Sequence, residues 1–236
     1  MNVIKWSASD TSDVKCFQEY STNQRWQVLD VTGQMRDQGY EGFVFKAELD
    51  GADHDPGMAI FTKHQILDTG YVWTNLGTTN SGLYMDIVKN EDTLRVYNVH
   101  LESMYLKLYE LKSSDNYMRK LKYVIQNLKK GAENRSIQIR KIVQHANTSP
   151  YPFVICGDFN ETPYSYNYIR LRSIFNNTFE EVGNGFGFTF NSALFFLRID
   201  HHFYGSGVEP INYDVDKTIR TSDHFATRGS YRLIKN

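Results

Sequence analysis

Short apolar runs rich in Val, Ile, Phe and Tyr, separated by polar turns, recur along this chain and predict a protein built mainly of strands. Phe153-Val154-Ile155-Cys156, introduced by Pro152, reads as a buried strand that Gly157 ends. Asp13 to Glu19 alternates apolar with other residues and closes on a glutamate, and Leu94 to Leu101 carries a histidine near its far end. Two more strands, Tyr40 to Leu49 and Met58 to Phe61, flank the polar turn Gly51 to Gly57, in which His54 reads as a solvated loop residue. A hairpin is expected to join Tyr84–Val88 to Leu94–Tyr97 through Lys89-Asn90-Glu91-Asp92. From Met104 to Ala146 the period becomes helical, with Met118, Leu121, Ile125 and Leu128 on one stripe and Ile139, Ile142, Val143 and Ala146 on another. Gly131 is expected to separate two helices. The second runs into the Phe153–Cys156 strand, an order that implies helices covering a sheet. No repeat, low-complexity tract or linker divides the chain, so residues 1–236 read as a single domain.

Composition adds a few bounds. With 41% hydrophobic and 14% aromatic residues, 236 residues can bury one substantial core. A net charge of −1 provides no strong field toward nucleic acid or membrane, which weighs against a processive DNA binder without excluding a nuclease. The helical region is locally basic, with Lys107, Lys112, Arg119, Lys120, Lys122, Lys129, Lys130, Arg135, Arg140 and Lys141 outweighing Glu110, Asp115 and Glu133. Both a solvated helix face and a phosphate-attracting rim fit that pattern. The two cysteines, Cys16 and Cys156, lie inside proposed strands and read as buried free thiols. No run of about twenty apolar residues is present to span a bilayer as a helix. The N-terminus shows no signal-peptide pattern, and the compartment stays open, an upstream anchor or signal included.

The candidate chemistry sits at strand ends. Asp158 and Asn160 emerge together after the Phe153–Cys156 run, two apart and on the same face of the pleat. A carboxylate and a carboxamide so placed can hold a water and a phosphoryl oxygen at once; an ordinary polar turn is the alternative reading. Glu19, His100, Asp200, Asp223 and His224 stand at other strand edges or turns, spread over the whole length. That distribution suits a cleft built from several strand ends around a hard cation on oxygen ligands.

In combination, Gln18-Glu19, Asn98-Val99-His100-Leu101, Gly157-Asp158-Phe159-Asn160, Ile199-Asp200 and Ser222-Asp223-His224 resemble, in family order, the endonuclease/exonuclease/phosphatase superfamily, the DNase I-like metal-dependent phosphoester hydrolases. Gly57 to Lys63 also resembles the family strand Gly-x-Ala-Ile-x-Ser-Lys. The resemblance runs from Glu19 to Phe225. It implies an α+β, four-layer α/β/β/α sandwich, with two mainly antiparallel sheets face to face and helices outside.

The same resemblance implies roles. Glu19 and Asp223 are the expected ligands of Mg²⁺ (or Mn²⁺), an ion that accepts few carboxylates and keeps several waters. Asp158 is expected to act as base or orienter of the attacking water, and Asn160 to hold that water or a phosphoryl oxygen. His224 would stabilise the phosphoryl charge, Asp200 would pair with a histidine, and His100 would contact phosphate or protonate the leaving group. His201 and His202 are read as structural, His202 standing where similar proteins carry an aliphatic residue. His64 and His145 show no acidic or cysteine partner and stay unassigned. Substrates among similar proteins include nucleic acid, phospholipid and small phosphoesters; a monomer without a protein partner is expected. A catalytically impaired binding module that keeps the fold is the competing class. Similar proteins open with a strand ending in an asparagine, then a crossover helix. Too few residues precede Asp13 for both, so Val3 to Ser9 are expected to be the tail of that helix, in a domain incomplete at its N-terminus.

Overall fold

The computed structural model describes residues 3–23, 28–47, 56–75, 77–104, 117–192 and 194–234. The elements in chain order are α1 (Val3–Ser9), β1 (Val14–Tyr20), α2 (Val31–Asp37), β2 (Glu41–Lys46), β3 (Gly57–Thr62), β4 (Gln65–Trp73), β5 (Ser81–Lys89) and β6 (Asp92–His100). There follow α3 (Tyr117–Asn147), β7 (Phe153–Asp158), α4 (Tyr166–Arg172), β8 (Asn176–Asn177), α5 (Thr178–Val182), β9 (Asp200–Tyr204), β10 (Val208–Asp216) and β11 (Ala226–Leu233). His54, Lys107, Glu110, Lys112 and Asp115 lie outside the described residues, as do the side chains of Lys120 and Leu121.

Two sheets carry the fold. One is six-stranded in the order β4-β5-β6-β7-β9-β8, and the other three-stranded in the order β1-β3-β2; β10 and β11 form a separate ribbon. All pairings are antiparallel except β6 with β7, which the long α3 crossover joins. The continuous apolar runs follow from burial on both faces. Along β3, Met58 and Ile60 face the larger sheet with Leu83, Met85 and Val96, while Ala59 and Phe61 turn outward onto Val31 and Met35 of α2. Along β6 and β7, Tyr97, Val99, Phe153 and Ile155 pack beneath Ile139 and Ile142 of α3 and Tyr168 and Leu171 of α4. Helix, sheet, sheet and helix are thus the four layers, and the ribbon extends the second by packing Val208 and Tyr231 on Val154 and Tyr204. The hairpin between β5 and β6 pairs Lys89 with Asp92, and its two turn residues Asn90 and Glu91 both take positive φ (52° and 71°).

Three expectations need correction. Gly131 separates nothing, because α3 runs unbroken for 31 residues. A helical glycine costs only about 1 kcal/mol relative to alanine. Gly131 is buried here, beside the Ala132 carbonyl that accepts from Asn167 of α4. Met118 and Ile125 do not line a core face; both are more than half exposed, at 69% and 56%. Gly157 does not end its strand either, since Gly157 and Asp158 both pair within β7.

Gly157 is instead required there. Its φ is +139°, and a Cβ would fall 2.0 Å from the Val99 carbonyl oxygen on the paired strand. Gly157→Ala is expected to cost about 2–4 kcal/mol, combining backbone strain with overpacking. Urea unfolding of the two proteins measures it, and a loss below about 1 kcal/mol, within ordinary surface-substitution scatter, would contradict the close approach.

Candidate active site

Three neighbouring strands place three candidate side chains in one row. His100 closes β6 and pairs with Asp158 at the end of β7, and Asp158 pairs with Asp200 at the start of β9. His224 arrives from the segment between β10 and β11. From the facing sheet, β1 brings Glu19 at an irregularity between Phe17 and Tyr20, where Glu19 takes φ +52° and is exposed. Asn98 sets that approach. Fully buried, it donates from Nδ2 to the carbonyls of Phe17 (2.9 Å) and Ala59 (3.0 Å), and its Oδ1 accepts from Gln18 (2.5 Å). One carboxamide therefore staples the two sheets together, two residues from His100 and beside Glu19.

The centre of the cluster is Asp158. Its Oδ1 accepts from the Asn160 backbone N–H (2.8 Å) and its Oδ2 from Asn160 Nδ2 (3.0 Å). Asn160 takes φ +49°, curling its side chain back onto the aspartate. Its second amide hydrogen goes to the Leu101 carbonyl at 3.1 Å, so both are committed within the protein. Around Asp158 Oδ2 stand His100 Nε2 at 3.7 Å and His224 Nε2 at 3.9 Å. The other nitrogen of His224, Nδ1, meets Asp200 Oδ2 at 2.9 Å. Asp158, Asp200 and His224 each offer a ligand atom within 4.8 Å of one another. Glu19 and Asp223, both exposed, lie outside that triplet.

Charge is unevenly shared here. Burial, then the nearby Asp200 and Glu19 carboxylates, push Asp158 up to about 8, against the pull of His224 and the Asn160 N–H. Burial works against the His224 cation too, but the charge and hydrogen bond of Asp200, with Asp158 and Asp223, carry it to about 10. Burial holds His100 below the usual imidazole range despite Glu19. At neutral pH the arrangement is a protonated His224 between two carboxyl groups, facing a neutral His100.

Residues that the sequence does not single out hold these groups. Thr189 Oγ1 accepts from the Ile199 and Asp200 N–H groups, each at 3.1 Å. Phe190 bridges to His224, its ring standing edge-on 5.2 Å away, and Asn191 fixes the carbonyls of Ser222 and Asp223. No sequence pattern points to Thr189 or Asn191.

Behind the site, Arg135 is 3% exposed and paired to Glu161 at 2.7 Å, which corrects its reading as part of a solvated helix face. Arg119, Lys122, Lys129, Lys130, Arg140 and Lys141 do lie exposed. His201 is buried on Phe159 and Tyr168, its Nε2 donating to the Glu161 carbonyl (2.7 Å), whereas His202 turns to Tyr231 and Thr227 on the opposite face. Burial drives them to about 3 and about 4, so both are neutral. His64, expected to lack an acidic partner, has Asp13 Oδ2 at 3.5 Å from its Nε2; His145 meets the Tyr97 hydroxyl at 2.9 Å. Cys16 and Cys156 are free thiols.

The family described as Endonuclease/Exonuclease/phosphatase family matches residues 6–224. No curated protein matches the chain by sequence. Among solved structures, the human Nocturnin catalytic domain with bound sulfate superposes with TM-score 0.66 at 14% identity, over 94% of this chain and 81% of its own. D. rerio TDP2 complexed with a single-strand DNA product gives 0.64 at 17% identity, over 97% and 89%. A mannosyl-6-phosphatase of Bacteroides thetaiotaomicron VPI-5482 gives 0.60 at 16%, over 98% and 89%. At these identities the three likenesses concern the fold.

Proposed function

This chain belongs to the endonuclease/exonuclease/phosphatase family of phosphoester hydrolases, and from that premise we propose a divalent-metal-dependent hydrolase that activates water at Asp158. The observation that carries the reading is Asp158 enclosed by Asn160, His100 and a His224 that is itself backed by Asp200.

The donor set fits a hard cation. Burial, with the charges of Asp200 and Glu19 added, holds Asp158 protonated near neutrality, and a divalent ion would favour its carboxylate form. Glu19 and Asp223 remain the proposed ligands of Mg²⁺ or Mn²⁺, with Asp158, Asp200 and His224 as a second candidate group. When bound, such an ion supplies charge neutralisation at the phosphoryl oxygens and the leaving oxygen.

The protein groups divide the remaining work. Asp158, as carboxylate, takes the proton from a water held for in-line attack. Asn160 orients Asp158 rather than the phosphate, because its amide hydrogens are spent on Asp158 and Leu101. His224 presents a fixed positive charge to the oxygens of the phosphoryl group, and Asp200 keeps it protonated. His100, neutral, is suited to donate a hydrogen bond to a phosphoryl oxygen and less suited to protonate a leaving group. The substrate class stays broad, as nucleic acid, phospholipid and small phosphoesters all meet these requirements.

The test is hydrolysis of bis-p-nitrophenyl phosphate with and without added Mg²⁺ or Mn²⁺. Turnover is expected to appear with the cation and to vanish in excess EDTA. Undiminished turnover under chelation would remove the metal, and no turnover on a panel of phosphoesters would leave the binding-module reading.

A further inference from the structure

We infer that Arg135, with Gln138 one helical turn along α3, is a positioning clamp that holds the two strand exits carrying His100 and Asp158 in register. The proposal concerns the mechanics of the site and, for its effect on turnover, rests on the hydrolase reading above.

The two exits are short stretches of backbone. After His100 comes Leu101-Glu102-Ser103, and after Asp158 comes Phe159-Asn160-Glu161. Two hydrogen bonds join them directly: the Leu101 N–H donates to the Asp158 carbonyl (2.9 Å), and Asn160 Nδ2 to the Leu101 carbonyl (3.1 Å). Further along, side chains of α3 reach both exits. Arg135 Nη1 donates to the carbonyls of Glu102 and Ser103, each at 3.0 Å, and its Nε to Glu161 Oε1 at 2.7 Å. Gln138 Oε1 accepts from the Glu102 N–H at 2.9 Å. One guanidinium thus grips both exits, and Gln138 holds the same residue, Glu102, through its N–H.

The choice of residue follows from geometry. A guanidinium offers five donors in a rigid plane, so it can serve two carbonyls and a carboxylate together, which an ammonium on a flexible stem does less well. The charge is buried with its partner, both side chains being 4% exposed. Glu161 is held in turn by Asn167 Nδ2 (2.6 Å), while its own carbonyl accepts from His201. A buried ion pair adds little net stability over apolar packing, but it specifies one arrangement of the groups around it. Here those groups are the peptides next to His100 and Asn160, whose side chains lie within hydrogen-bonding or ion-pair distance of Asp158. Displacement of a reacting group by about 1 Å can cost about a hundredfold in rate.

The experiment compares the unsubstituted chain with Arg135→Met, Arg135→Lys and Gln138→Met. It measures kcat and KM on bis-p-nitrophenyl phosphate with Mg²⁺, and backbone hydrogen exchange by mass spectrometry. Arg135→Met is expected to lower kcat about ten- to a hundredfold, with KM within about twofold. Its exchange should rise over residues 100–104 and 158–162 while the β10–β11 ribbon stays unchanged. Arg135→Lys should recover part of both, and Gln138→Met should lower kcat several-fold and speed exchange at Glu102. Unchanged kcat and exchange in Arg135→Met would overturn the clamp, as would a rise in exchange spread evenly over the molecule. Should Arg135→Met fail to fold, Gln138→Met decides by the same two readouts. If the unsubstituted chain hydrolyses nothing, the hydrolase reading falls, and the local exchange comparison still settles the clamp.

Discussion

Asp158→Asn is expected to lower turnover by about 10²–10⁴-fold, the range for removal of a positioned base. The same substitution should leave the fold intact and its thermal midpoint unchanged or higher. The two effects share one cause. Asp158 is buried beside Asp200 and within the field of Glu19, which is why its carboxyl is pushed up to about 8. A neutral amide of nearly the same shape removes that repulsion. It can still accept from the Asn160 N–H through its oxygen (now at 2.8 Å from Asp158 Oδ1), but it gives up the bond from Asn160 Nδ2 to Oδ2 and cannot take a proton from water. Turnover on bis-p-nitrophenyl phosphate and a thermal melt by circular dichroism check both halves. Near-normal turnover at unchanged stability would remove Asp158 from the reaction. A sharply lower melting temperature would mean that the carboxylate is needed to hold the strand ends.

The strand ends are legible in the sequence because both faces of β3, β6 and β7 are buried, which leaves long apolar runs that stop where the chain reaches the site. Asp158, Asp200 and His100 fall into one row for that reason, and each short motif marks its own strand end. The supporting shell is illegible for a matching reason. The buried face of α3 continues from Ile142 and Ile139 through Gln138, Arg135 and Gly131, and a periodicity argument reads those polar positions as solvent-facing and the glycine as a break. Met118 and Ile125, which share an apolar stripe in the sequence, are exposed at the other end of the same helix. Asn160 shows the limit in miniature. Strand alternation puts it on the face of Asp158, which is right in outcome, but the contact comes from a left-handed backbone that the pleat does not supply. Thr189 reaches Asp200 through a loop with no pattern at all, across eleven residues of sequence.

His224→Ala is expected to lower kcat by about 10²–10³-fold, as loss of a fixed positive group at the phosphoryl oxygens does in related chemistry. A second substitution separates the charge from the ring. Asp200→Asn keeps a hydrogen-bonding partner at Nδ1 but removes the carboxylate that, against burial, carries His224 to about 10. The His224 pKa should therefore fall in Asp200→Asn, and NMR titration of the ring protons in the metal-free protein measures it directly. The sign of the pH dependence follows. In the metal-free state Asp158 becomes a base as pH rises through about 8, and His224 loses its charge as pH rises through about 10. At a limiting concentration of divalent cation, activity should climb across the first value and decline across the second, and a saturating concentration should move the climb to lower pH. Stability runs the same way for His224. Its folded pKa lies above the unfolded 6.5, so the contribution of its pairing with Asp200 is complete below that value and is lost as pH rises through about 10. In Asp200→Asn the alkaline decline in activity should begin at lower pH, and the alkaline loss of stability should shrink. A His224 that titrates at the ordinary imidazole value in the unsubstituted protein would break the link between Asp200, the charge and the rate.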